Sequence, residues 1–272
     1  MSRSARDREL EAGSLAHYED PAYYTATYAR RLADVAFYVA LAQKARGPVL
    51  EYGVGNGRIA LPMARHGIEV VGVDHSQPML RDLRARLRDE PDAVRNRVTV
   101  VRGDMRRAKL GRRFPLVVCT FNTVLHLYTR ADVEAFLARV RGHLAPRGRF
   151  VVDLSMPPLA DLARDPSHAF HAPRFRHPTA GVVVKNREYF DYDPARQVLF
   201  VSMEFEPLGP PRGREWTTPL AHRQFFPQEW EALLHYNGFA VERVDGDFAG
   251  GPLTKESDVM IWHAKRRSKA SR

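Results

Sequence analysis

The sequence is poor in cysteine, in long apolar runs and in acidic residues, and each shortage excludes a class of protein. Cys119 is the only cysteine among 272 residues, so the chain can form neither an intrachain disulfide nor a cysteine-based zinc cluster. No apolar run approaches the ~18 residues of a membrane-spanning helix, and the start MSRSARDREL lacks the apolar centre of a signal peptide. We therefore expect a cytoplasmic protein with no membrane partner.

Acidic residues are outnumbered, because 42 Lys and Arg stand against 32 Asp and Glu, for a net charge of +10. A basic chain raises the question of a nucleic-acid partner. The excess is mostly arginine scattered through predicted helices and loops, with local density only at 102–113 and in the tail KRRSKASR. This distribution favours a solvated basic surface, so we do not expect nucleic acid as the partner.

Hydrophobic periodicity divides the chain into an α/β core and a β-rich insertion. Short apolar runs that start at Val49, Val70, Val98, Leu116 and Phe150 alternate with helical patterns, which predicts a parallel sheet covered on both faces. From residue 156 the pattern changes to a Pro- and His-bearing connection, a hairpin about DYDPAR and a third strand LAHRQFF. A last helix and two strands then complete the core.

The stretch EYGVGNG, from Glu51 to Gly57, follows a predicted strand and has glycine at three alternate positions. A glycine-rich turn between a strand and a helix brings bare backbone N–H groups and a positive helix end close to a ligand. Asp74 ends the next strand, where a carboxylate can accept both hydroxyls of a ribose, so the pattern indicates a nucleoside. Dinucleotide sites prefer G-x-G-x-x-G, and Glu51 would repel a pyrophosphate but attract a cationic ligand end.

The segment VLEYGVGNGRIALPMARHGIEVVGVDHSQPML, followed by VRGDM, resembles the class I S-adenosylmethionine-dependent methyltransferases. The resemblance implies S-adenosyl-L-methionine as cofactor and an α/β fold with a doubly wound, seven-stranded Rossmann-like sheet. Its last strand would be antiparallel, with a small antiparallel β lid inserted after the fifth strand. The residues that the resemblance assigns to the cofactor are Glu51, Gly53, Gly55 and Gly57 at the methionine part, Asp74 at the ribose, Asp104 and Met105 at the adenine, and Asn122 at the junction with the substrate, together with His75.

With this resemblance the chain divides into five predicted segments. They are a disordered N-terminus (1–14), an aromatic-rich helical arm (15–47), a cofactor-binding catalytic domain (48–155 and 227–265), a lid that binds the substrate (156–226) and a basic tail (266–272).

The segment FNTVLHL, the arm HYEDPAYYTATY and the antiparallel insertion resemble small-molecule N-methyltransferases, including amino-sugar and glycine-type enzymes. The resemblance implies a small-molecule acceptor that is methylated on nitrogen rather than oxygen. It places His126 beside the substrate amine, as the base that accepts the amine's proton. The alternative is that alignment supplies the rate and Tyr18 or Tyr24 of the arm orients the acceptor.

Other functions stay open at this point: an RNA methyltransferase, a nucleotide-dependent oxidoreductase and a non-catalytic nucleoside-binding regulatory protein. The RNA alternative lacks its signatures, because no Asn/Asp-Pro-Pro-Tyr/Phe segment follows the fourth strand and Cys119 lies inside that strand. His168, His171 and His177 lie close together without an acidic partner at a regular ligand spacing, so we predict no metal site. We expect a monomer or a homodimer.

Overall fold

The computed structural model describes residues 4–209 and 213–267. The helices, in chain order, are α1 (Ala5–Leu15), α2 (Pro21–Tyr28), α3 (Ala33–Ala45), α4 (Ala60–Arg65), α5 (Gln77–Arg88), α6 (Asp92–Arg95), α7 (Arg130–His143), α8 (Leu159–Leu162) and α9 (Pro227–Tyr236). The strands are β1 (Val49–Tyr52), β2 (Val70–Asp74), β3 (Val98–Arg102), β4 (Phe114–Cys119), β5 (Leu144–Ser155), β6 (Phe170–Arg176), β7 (Val183–Asp193), β8 (Val198–Leu208), β9 (Trp216–Arg223), β10 (Phe239–Asp245) and β11 (Val259–Arg266). Short 3-10 helices cover Ala16–Tyr18 and Thr123–His126.

Contacts divide the chain into two compact units. The smaller unit contains the residues up to 30 together with 157–224, and the larger unit contains 31–156 and the residues from 225 onward. The predicted arm (15–47) is therefore divided between them. Tyr23 of α2 packs on Phe205 in the smaller unit, whereas Tyr38 of α3 belongs to the core of the larger unit.

The larger unit contains a seven-stranded sheet in the order β10-β11-β5-β4-β1-β2-β3. Strands β1 to β5 run parallel, and β11 pairs antiparallel with both β5 and β10. The prediction of a doubly wound mixed sheet with an antiparallel last strand is confirmed.

Both faces of this sheet are covered, as the continuous apolar strands predict. Because successive side chains of a strand point to opposite faces, Leu50 and Tyr52 of β1 join one buried cluster with α7 and α9, and Val49 joins the other with α3, α4 and α5. Ser76 and Thr129 cap α5 and α7 through their hydroxyl groups, as the sequence predicts.

The smaller unit contains a four-stranded antiparallel sheet in the order β6-β7-β8-β9, which lies in the chain between β5 and α9. The predicted hairpin about DYDPAR is confirmed as β7 and β8. The sequence prediction missed β6 and interpreted its residues as an irregular connection. Phe175 packs against the buried cluster that contains Val184 and Phe205, although His171 and Pro173 interrupt the sequence pattern of a strand.

The prediction of a disordered N-terminus over 1–14 is wrong where the structure describes it, because α1 spans Ala5–Leu15. The Ser4 hydroxyl accepts the Asp7 N–H at 3.1 Å, and the Asp7 carboxylate accepts the Ser4 N–H at 3.1 Å, so the helix begins with a capping box. Gly13 is buried against Ala221 of β9, which a polar sequence pattern cannot reveal.

Two further observations concern the ends of the chain and its helices. Of the predicted basic tail, Arg266 ends β11, and residues 268–272 lie outside the described residues. Over the part of the chain that the structure describes, no helix has the length and apolar character needed to cross a membrane.

Candidate functional site

The carboxyl ends of β1 to β5 lie along one edge of the larger unit's sheet. The strand order reverses between β1 and β4, so the connections that follow these two strands leave in opposite directions. In open α/β sheets, ligands bind at such a switch point. The residues predicted to bind the cofactor lie at the carboxyl ends of β1 and β2 and in the connections after β1, β2, β3 and β4.

The three glycines after β1 all adopt positive φ, at 73° for Gly53, 53° for Gly55 and 84° for Gly57. A Cβ atom on Gly53 would lie 2.3 Å from Thr123 Oγ1, so the loop approaches the segment after β4 closely because it has no side chain. A Cβ atom on Gly57 would lie 2.5 Å from Leu83 Cδ1 of α5. The glycines are therefore required by the packing and conformation of the loop.

Glu51, in β1, has a buried carboxyl group with an unused acceptor. Glu51 is only 1% exposed. Thr120 Oγ1 donates a hydrogen bond to Glu51 Oε1 at 3.2 Å, whereas the buried Oε2 accepts none from the described residues. Burial raises the pKa of Glu51 to about 8. A cationic donor would supply both the missing hydrogen bond and the opposite charge, so Glu51 fits the methionine ammonium group of S-adenosylmethionine.

Asp74, the last residue of β2, is tied to the glycine loop. Its Oδ2 accepts the Gly55 N–H at 2.8 Å and its Oδ1 accepts the Ser76 N–H at 2.8 Å. Burial raises the pKa of Asp74, and the two backbone donors oppose that rise. Each oxygen keeps lone pairs for further donors, as a ribose requires. The neighbouring His75 is exposed, with Nδ1 3.9 Å from Asp74 Oδ1.

Asp104, after β3, is held by a residue that the sequence analysis missed. The Arg106 guanidinium donates to both carboxylate oxygens of Asp104 at 2.7 to 3.0 Å and also to Asp132 of α7 at 2.5 Å. This pairing lowers the pKa of Asp104, which is therefore an anionic acceptor at neutral pH. Met105 is partly buried and packs against the core. The only sequence signal for Arg106 is its position two residues after Asp104.

Asn122 and His126 lie in the connection after β4. Asn122 has a φ of 64°, and its Oδ1 accepts the N–H of Ser155, the last residue of β5, at 2.7 Å. His126 ends the 3-10 helix Thr123–His126 and is half-buried, with Nδ1 3.1 Å from the Tyr128 hydroxyl. Contacts thus join the glycine loop, Asp74 and the start of this connection, while the catalytic role of His126 stays a prediction.

Tyr18 and Tyr24 belong to the smaller unit, where their ring centroids lie 6.0 Å apart. Both rings pack against His17, whose Nε2 lies 3.1 Å from the Tyr28 hydroxyl. Burial lowers the pKa of His17 to about 4, so its imidazole is neutral at physiological pH. His17 was not predicted as a site residue, and its only sequence signal is its place at the start of the aromatic arm.

The predicted absence of a metal site concerns the histidines near β6. His177 is buried and stacks on Tyr23, with ring centroids 5.0 Å apart. A search of residues 4–209 and 213–267 finds no group of three His, Cys, Asp or Glu that could hold a metal ion.

Comparison with known proteins identifies the domain that carries this site. Residues 49–148 match the family model described as a methyltransferase domain. A dTDP-3-amino-3,6-dideoxy-alpha-D-glucopyranose N,N-dimethyltransferase of Streptomyces fradiae is 35% identical over 126 residues, which is 46% of the chain and 46% of that relative. The match thus spans less than half the length of this relative.

Solved structures extend the similarity beyond that segment. The CcbJ methyltransferase from Streptomyces caelestis has a TM-score of 0.73 and 27% identity, with 87% of this chain and 89% of that chain covered. The glycopeptide N-methyltransferase MtfA, complexed with S-adenosyl-L-methionine, has a TM-score of 0.57 and 26% identity, with 86% and 93% covered.

These comparisons support neither an RNA methyltransferase nor a nucleoside-binding regulatory protein. Residues 49–148 match a methyltransferase domain, in agreement with the family that the glycine loop and its neighbouring motifs resemble.

Proposed function

We propose that the chain is an S-adenosylmethionine-dependent methyltransferase that methylates a nitrogen atom of a small-molecule acceptor. The observation that carries the proposal is the buried Glu51 carboxyl group, with its unused acceptor, beside a glycine loop at the carboxyl edge of the sheet. A dinucleotide would bring an anionic pyrophosphate to this loop and has no ammonium group for such a carboxyl group. The relatives named above, which act on amino sugars and a glycopeptide, support nitrogen as the acceptor atom.

In this proposal the cofactor is held by residues of the larger unit alone. Glu51 and the loop of Gly53, Gly55 and Gly57 hold the methionine part. Asp74 accepts hydrogen bonds from the ribose hydroxyls, with the exposed His75 at its side. Asp104, kept anionic by Arg106, accepts from the adenine amino group. Once bound, the cofactor supplies a methyl group that its sulfonium centre already activates.

The acceptor then needs alignment and the loss of a proton. An amine is mostly protonated at neutral pH and then has no lone pair for attack. We therefore assign His126 as the base that accepts the amine's proton. The Tyr128 hydroxyl beside Nδ1 restricts the orientation of this ring. Orientation of the acceptor by Tyr18 or Tyr24 stays the alternative to this assignment. A cytoplasmic location and a monomeric or homodimeric state complete the proposal.

A methyl-transfer assay against a panel of acceptors tests this function. The panel contains nucleotide-linked amino sugars, peptides with free amino termini, amino acids, phenols and RNA. We expect turnover with one of the amine classes. Methylation of RNA with no small-molecule turnover would overturn the proposal, and so would calorimetric titrations in which NAD binds tightly and S-adenosylmethionine does not.

A further inference from the structure

The connection after β4 begins with an unusual backbone turn. Phe121 and Asn122 both have positive φ, at 52° and 64°. Asn tolerates this region, but a bulky aromatic residue there is an outlier, and two in succession persist only where their surroundings hold them. The groups that hold this turn are therefore informative.

Asp153 of β5 holds the first of the two residues. It is 3% exposed, and both of its carboxylate oxygens accept the Phe121 N–H at 3.0 Å. The Tyr38 hydroxyl of α3 donates a hydrogen bond to the same carboxylate. A charged acceptor with two donors inside the larger unit is a stable anchor for the strained N–H group.

Ser155, two residues further along β5, holds the second. Its N–H donates to Asn122 Oδ1 at 2.7 Å, and Asn122 Nδ2 donates to its Oγ at 2.9 Å. Because alternate residues of a strand share a face, Asp153 and Ser155 form one clamp on two successive residues of the turn.

The clamped turn lies between groups that the proposed function uses. Thr120, just before it, donates to Glu51, and Thr123, just after it, contacts Gly53 of the glycine loop. The Phe121 ring lies 4.5 Å from the guanidinium carbon of Arg58. The turn therefore sets the direction in which the connection after β4 leaves the glycine loop, and with it the positions of Asn122 and His126.

We propose that Asp153 is a positioning residue for methyl transfer, which acts by holding the Phe121–Asn122 turn in its left-handed shape. This inference rests on the proposed function. It does not assign Asp153 any contact with cofactor or acceptor. Loss of the clamp should let the connection relax, displacing Asn122 and His126 while the glycine loop, Asp74 and Asp104 stay in place.

The test compares Asp153→Asn and Asp153→Ala with the wild type. We expect cofactor affinity within about threefold, whereas turnover falls about 10-fold in the Asn variant and about 100-fold in the Ala variant, the scale of a small misalignment. The order follows because Asn keeps one acceptor oxygen and Ala keeps none. Asp245→Asn is the control, because Asp245 is as deeply buried as Asp153 but pairs with Arg243 and lies in β10. The turnover of this variant should equal that of the wild type.

The outcomes separate the inference from the function on which it rests. A wild-type protein that methylates no acceptor defeats the proposed function. Wild-type activity with unchanged turnover in both Asp153 variants, or with an equal loss in Asp245→Asn, overturns the positioning role. If the Asp153 variants do not fold, Tyr38→Phe and Ser155→Ala decide. Tyr38→Phe removes a hydrogen bond that holds the Asp153 carboxylate, and Ser155→Ala removes the clamp's hydroxyl group. Reduced turnover at unchanged cofactor affinity and melting temperature supports the clamp, and unchanged turnover in both overturns it.

Discussion

Glu51 has a carboxyl group with a pKa of about 8, which is mostly protonated at pH 7. A cation placed beside it favours the ionised form and lowers that pKa. Binding of S-adenosylmethionine at pH 7 should therefore release about one proton, and affinity should rise as pH increases from 6 toward 8. Calorimetric titrations in two buffers with different ionisation enthalpies measure the proton directly. Glu51→Gln should abolish the release, and an unchanged release in this variant would contradict the assignment.

The same residue has a consequence for stability. Its pKa is higher in the folded protein than the usual value of about 4.3, so the folded state binds the proton more tightly than the unfolded state. Glu51 therefore reduces the stability of the fold as pH rises between these two values. We expect Glu51→Gln to melt at a higher temperature than the wild type at pH 8, with a difference that shrinks toward pH 5.

His126 carries the third prediction at the scale of the residue. If it accepts the amine's proton, His126→Ala should lower turnover by roughly 100-fold and leave cofactor affinity within about threefold. Steady-state kinetics at neutral pH and a cofactor titration measure the two quantities. Full turnover in the variant would exclude His126 as the base, and Tyr18→Phe and Tyr24→Phe would then be the variants to measure.

The residues that sequence could predict are those whose role follows from local chain order. Glu51 and Asp74 lie at strand ends, and the glycines lie between a strand and a helix. Asp153 and Arg106 act across elements that are distant in sequence, because Asp153 bonds to Phe121 of another connection and Arg106 to Asp132 of α7. The single acidic residue inside the apolar strand FVVDLS was the available signal for Asp153.

At the scale of the element, the apolar strands and the capped helices with an apolar face were predictable. Helix α1, which has a capping box but few apolar residues, and strand β6 were not. Apolar period and capping residues are local properties of the chain, so β1 and α5 could be identified from them. Helix α1 has few apolar residues and is held by a glycine that packs on β9, which is a tertiary property. Helix propensity and hydrophobic pattern do not reveal such a contact.

Two helical glycines allow the role of α1 to be tested. A Cβ atom on Gly13 would lie 2.7 Å from the Ala221 side chain and 2.8 Å from its backbone nitrogen, whereas a Cβ atom on Gly142 of α7 would meet nothing within 4 Å. Gly13→Ala should therefore destabilise the docking of α1, and hydrogen exchange over Ala5–Leu15 should accelerate. Gly142→Ala is the matched control and should stabilise the protein by about 0.5 to 1 kcal/mol. Equal effects of the two substitutions would contradict this packing.

At the scale of the whole molecule, many basic residues form local ion pairs with acidic residues, although the net charge is +10. Arg58 pairs with Asp34 at 2.5 Å, and Arg112 pairs with Glu69 at 2.8 Å. Arginines that are paired in this way add little to a long-range electrostatic field. The other basic residues are scattered over the sequence apart from the local densities at 102–113 and in the tail. The charge therefore indicates a solvated basic protein and does not by itself indicate a polyanionic partner.

This distribution gives a prediction about ionic strength. A protein that neutralises many phosphates of a nucleic acid releases as many counterions, and its affinity falls about 10³- to 10⁵-fold between about 50 and 200 mM salt. A small amine releases few counterions, so we expect kcat/KM for the acceptor to change by less than about threefold over the same range. Initial rates at fixed saturating cofactor measure this, with added RNA as a competitor in parallel reactions. A steep loss of kcat/KM with salt, or strong inhibition by RNA at low salt, would show that the basic surface takes part in binding the acceptor.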